Sequence, residues 1–83
     1  MSSTELLELL RQASAGSTID RDAVRDLDLN DVPTDARKVA DEAWHHLMHY
    51  AVDEDIRSRD ADYAKDQMET AAWHEEKLRA LLG

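Results

Sequence analysis

The chain has no cysteine and no phenylalanine, one proline, and two glycines among 83 residues. Without cysteine there is no disulfide, no thiolate metal ligand and no cysteine nucleophile. Two glycines cannot furnish a glycine-rich phosphate loop. Basic clusters are missing too: ten Lys and Arg stand against nineteen Asp and Glu, a formal net charge of −9. Nucleic-acid binding draws on counterion release by clustered bases, so direct contact with DNA or RNA is not expected. No stretch approaches the roughly 20 apolar residues of a membrane span. The opening MSSTELLELL places Glu5 where a leader peptide needs positive charge, and Glu8 interrupts its apolar run. A soluble, cytoplasmic protein without membrane contact is the expectation.

What is present reads as helix. A chain of this length fits one acidic domain over residues 1–83. It buries roughly 60% of its unfolded surface, which leaves little room for a deep substrate pocket. In SSTELLELLRQASAG, Ser2 and Glu5 have capping-box spacing, Leu6, Leu9, Leu10 and Ala13 share a face, and Gly16 is placed to stop the helix. In STIDRDAVRDLDLNDVP, Ser17 or Thr18 can cap a two-turn helix whose face is Ile19, Ala23 and Leu27. Leu29 and Val32 pin the connection, and Pro33 closes it. Thr34 is then the expected N-cap of a long helix with the apolar face Ala36, Val39, Ala40, Ala43, Trp44, Leu47, Tyr50 and Ala51, extended by Met48 and Val52. A last helix runs from about Arg59 to Leu82, with Ala61, Ala64, Met68, Ala71, Ala72, Leu78 and Leu82 on one side.

The joint VDEDIRSRD holds no Gly or Pro. A single continuous helix through it would leave two long apolar faces with only short helices to cover them. A reversal near residues 52–58 is therefore expected, with Asp53, Ser58 or Asp60 capping the last helix. The fold class that follows is all-α: a small bundle of two short N-terminal helices packed on an antiparallel pair of longer ones.

Three of the four histidines fall in HHLMHYAVDED. His45 and His49 lie about 40° apart on the wheel, on the side away from Val39, Ala43 and Leu47, with Lys38, Glu42 and Asp53. An i, i+4 pair lets two imidazoles meet one ion, so His45, His49, Glu42 and Asp53 form a candidate surface metal set. Glu42-x-x-His45 also has the spacing of carboxylate-bridged di-iron bundles. Those centres face inward and need a second such motif, whereas His74 has Ala71 where the Glu would stand. A solvated face with ordinary histidines is the simpler reading. Asp26, Asp28 and Asn30 match the first ligand positions of a calcium loop, but Asp31 replaces the turn glycine and Arg37 the bidentate Glu. A His49–Asp53 pair suits general acid–base chemistry only in a cleft, and the wheel puts it on an open surface.

Trp73 carries the other signal. It points about 170° away from the Ala64–Met68–Leu78 face, among Asp62, Asp66, Glu69, Glu76 and Ala80. An indole among charges is a common interface anchor, unless another part of the chain covers it. Trp73, Glu69, Glu76 and Asp66 are the candidate interface. The expected function is a non-catalytic protein–protein interaction or regulatory module, needing no cofactor, with a basic protein or a second copy of the chain as partner. The alternatives are a metal-responsive protein built on the His/carboxylate set, and an acidic mimic of nucleic acid whose carboxylates would have to line up in rows.

Overall fold

The computed structural model describes residues 2–82. They form five helices: α1 (Ser2–Ser14), α2 (Arg21–Arg25), α3 (Thr34–Val52), α4 (Glu54–Arg59) and α5 (Ala61–Leu82). The architecture is all-α, with no strand among the described residues. None of these helices is long and apolar enough to cross a membrane.

In α1, Leu6, Leu10 and Ala13 are buried at helical spacing, with Leu7 and Leu9 partly covered. The helix ends at Gly16, whose φ is 81°. There Gly16 N–H donates to Ala13 O (3.0 Å) and Ser17 N–H to Gln12 O (3.0 Å). This paired closure satisfies two terminal carbonyls, and its left-handed residue favours glycine. The capping box expected at Ser2 and Glu5 rests on the Ser2 side chain, which lies outside the described residues.

The second helix is shorter and later than its spacing predicts. Asp20 caps it, its carboxylate accepting from Asp22 N–H (3.0 Å). Ser17 and Thr18 are engaged elsewhere: Ser17 O accepts from the Tyr50 hydroxyl (2.8 Å), and the Thr18 hydroxyl donates to Glu54 (3.2 Å). A start at Arg21 leaves Ile19 outside the helix and resets the phase, so Val24 is buried and Ala23 exposed. Five residues make a marginal helix. Tertiary contact holds it, with Trp44 Nε1–H donating to Val24 O (2.8 Å). Val32 is buried and Leu29 half-buried, as their anchoring role requires.

Helix α3 buries Ala36, Ala40, Ala43, Leu47 and Tyr50, an alternation of four and three residues that keeps one stripe inward. Pro33, not Thr34, precedes the first turn, and no side chain caps it. Val52 at the far end is 49% exposed, because the helix stops there. The reversal falls where expected and contains the extra turn-and-a-half of α4, which buries nothing. Asp60 caps α5, its carboxylate accepting from Tyr63 N–H (3.1 Å).

Cross-contacts set the helix directions. Asp53 meets Tyr63, while His46 meets Gln67 and His74, so α5 returns antiparallel to α3. Gly16 approaches Met68 and Arg11 faces Glu75, so α1 also runs opposite to α5. The inward stripe of α5 is Gln67, Ala71, His74 and Leu78. The predicted face shares Ala71 and Leu78 with it, but Ala61 and Ala72 are exposed. The helix is turned so that two polar side chains face inward, and both are hydrogen-bonded there.

Candidate interaction surface

The motif Ala-Trp-His occurs on both long helices, at residues 43–45 and 72–74. In each copy the rings meet edge to face: Trp44–His45 at 5.0 Å and 90°, Trp73–His74 at 5.0 Å and 85°. The two copies are set in opposite phase. On α3 the indole turns inward, half-buried and bonded to Val24, and His45 is exposed. On α5 His74 turns inward and Trp73 is 50% exposed. The first helix packs on α5, yet half of the Trp73 side chain remains in solvent. Its helix neighbours Asp66, Glu69 and Glu76 are exposed on the same outer side. Lys65 lies 4.0 Å from Glu69, and Lys77 Nζ lies 5.5 Å from the centre of the Trp73 ring. Trp73, Glu76, Lys77 and Ala80 line a shallow recess.

Inward of this surface, His74 is 8% exposed and stacks on His46 with 5.6 Å between ring centres and 28° between planes. His74 Nδ1–H donates to Thr70 O (3.0 Å), and His46 Nε2–H donates to Gln67 O (3.0 Å). Burial is the main force on His46, and it pushes the imidazole below its ordinary value of 6.5. The bond to Gln67 O favours the protonated ring and works against burial without reversing it.

The candidate metal set is not brought together. His45 Nδ1–H donates to Asp41 O (2.8 Å) and sits 3.6 Å from the Asp41 carboxylate, rather than on Glu42. Asp53 turns toward α5, where it accepts from the Tyr63 hydroxyl (2.7 Å) and Gln67 Nε2 (3.3 Å). That carboxylate holds the Tyr63 phenol above its usual range. His49 stays exposed on α3. Among the described residues no group of three or more His, Asp or Glu is arranged to hold a metal ion. The calcium-like loop is tied internally: Asp28 accepts from Asn30 N–H (3.0 Å), and Arg37 donates to Asn30 O (3.0 Å) and Val32 O (3.1 Å).

Sequence reasoning missed a polar cluster at the reversal. Arg57 lies 3.5 Å over the Tyr50 ring, donates to Tyr50 O, and donates to Gln67 Oε1 (3.0 Å). Gln67 links this guanidinium to Asp53. The cluster fastens α4 to both long helices, and its polar groups are directed at one another. Only the lack of Gly or Pro in a segment that must reverse hints at it, because side chains then have to hold the turn.

Compared with protein-family models, curated proteins and solved structures, the chain shows no significant match.

Proposed function

We propose that this chain is a non-catalytic, cytoplasmic protein–protein interaction module that docks on a basic partner through the outer face of α5. The carrying observation is the half-exposed Trp73 on a helix whose opposite stripe is buried. Covering a large apolar side chain is worth roughly 1.5–3 kcal/mol, and about half of that is still to be gained here. Tryptophan is also the residue type most often found at the energetic centre of interfaces. Charge favours a foreign basic surface over a second copy, because a two-fold dimer about Trp73 would set Asp66, Glu69 and Glu76 near their own equivalents. The acids of this face are interrupted by Trp73 and interleaved with Lys65 and Lys77, which speaks against mimicry of a phosphate row.

A photo-crosslinking residue at position 73 tests the reading in the native cell, with one at exposed Lys38 on α3 as control. The expected result is a discrete adduct with a basic protein from position 73 only, competed by excess wild-type chain and not by Trp73→Ala. Equal labelling from both positions overturns the proposal, and an adduct of twice the chain mass replaces the basic partner with a second copy.

A further inference from the structure

The docking surface has a defined seat at its centre. The Trp73 ring is held edge to face by His74, and His74 is itself fixed by its bond to Thr70 O and its stack on His46. The indole therefore stands on a rigid support. A tryptophan face attracts cations within about 6 Å of its centre. Lys77 Nζ, at 5.5 Å, occupies the outer part of that range. Lys77 forms no ion pair among the described residues, and neither does Glu76, whose carboxylate borders the same recess. Ala80, one turn on, adds almost no bulk. The recess thus combines a π face, an unpaired carboxylate and open space, with a flexible ammonium as its loose internal occupant.

We infer that this recess receives an arginine side chain of the partner, its guanidinium stacked on the Trp73 ring and paired with the Glu76 carboxylate, with Lys77 swung aside. This rests on the reading of the α5 face as a docking surface and names the chemistry at its centre. Arginine fits better than lysine because the guanidinium is planar, weakly hydrated, and able to stack and bond a carboxylate in the same pose. Lysine's compact ammonium is already supplied from within by Lys77.

The probe is a short acetylated alanine–glutamine peptide with one central arginine, compared with the same peptide carrying lysine or the neutral isostere citrulline. The readout is the indole N–H resonance of Trp73, with that of Trp44 as internal control. The arginine peptide should shift Trp73 and leave Trp44 unmoved. It should bind about two- to five-fold more tightly than the citrulline peptide, the ratio expected for an exposed cation–π contact. Glu76→Gln should weaken the arginine peptide and spare citrulline, and Lys77→Ala should tighten it by removing the internal competitor. Trp73→Leu, which keeps an apolar side chain, should erase the preference for arginine. Equal binding of arginine and citrulline peptides at Trp73 overturns the cation seat while the docking surface stands. An arginine peptide that leaves Trp73 unmoved also overturns it, and crosslinking from position 73 then judges the docking surface separately. Weaker arginine binding in Lys77→Ala contradicts the displacement.

Discussion

Single residues divide here into those the fold needs and those it leaves available. Gly16 belongs to the first kind. Its φ of 81° lies in the region that costs an ordinary residue roughly 1–2 kcal/mol, and a Cβ there would stand 3.0 Å from Met68 Sδ. Gly16→Ala should therefore destabilise by about that amount in urea unfolding. The two tryptophans make the sharper contrast. Trp44 is half-buried and hydrogen-bonded to α2, so Trp44→Ala should cost about 3 kcal/mol and loosen α2. Trp73→Ala removes a side chain that makes little of the fold, and should cost about 1 kcal/mol or less. Matched denaturation curves for the two variants check this, and a large loss from Trp73→Ala would make it structural.

Between elements, the seam of α3 and α5 carries an acid sensitivity. His46 has a folded pKa below its ordinary 6.5, so the unfolded chain takes up a proton first as pH falls. Stability from this group is full above about pH 6.5 and is lost as pH drops through the lowered folded value. The neighbouring charges are His74, His49 and Asp66, and of these only Asp66 opposes the loss. Melts between pH 7.5 and 5.5 should show falling stability in the wild type (about the range in which histidine titrates) and a flatter profile in His46→Gln. At the α1–α5 contact, Glu75 has one carboxylate oxygen buried without a hydrogen-bond partner. Arg11, across from it, is already held by Glu8 at 2.9 Å. Glu75→Leu should therefore stabilise by about 0.5–1 kcal/mol, read as a rise in melting temperature, since the Arg79 pair it forfeits is 3.7 Å long and adds little. These contacts also show what periodicity can reveal. Runs of Leu and Ala at helical spacing disclosed α1, α3 and most of α5, because apolar burial is a repeating pattern. The register of α5 was hidden because Gln67 and His74 face inward, and a polar residue's burial depends on partners far away in sequence. The start of α2 was hidden for a similar reason: Tyr50 and Glu54, more than twenty positions on, engage Ser17 and Thr18. For the candidate site, the outward direction of Trp73 was legible from the wheel alone. The His46–His74 stack behind it was not, since it joins two helices.

Across the whole molecule, the Cα envelope measures 38 × 23 × 16 Å, too thin to bury both sides of α5. One side of that helix closes the core, and the other stays in solvent. The order of packing has its own consequence. The α3–α5 contact is a hairpin between near neighbours in the chain, whereas α1 finds its main partner only in α5. Synthesis runs from α1 toward α5 at roughly 5–20 residues per second, so the Leu6–Leu10–Ala13 stripe is expected to lack its main cover until α5 has left the ribosome. A nascent chain stalled at Asp60 should then be cleaved readily within α1, and a chain released to Leu82 should gain protection in α1 and α5 together. Early protection of α1 alone would mean that it folds on α2 and α3 first. On that expectation the first helix is a segment that waits, its leucines uncovered on the side that α5 later closes.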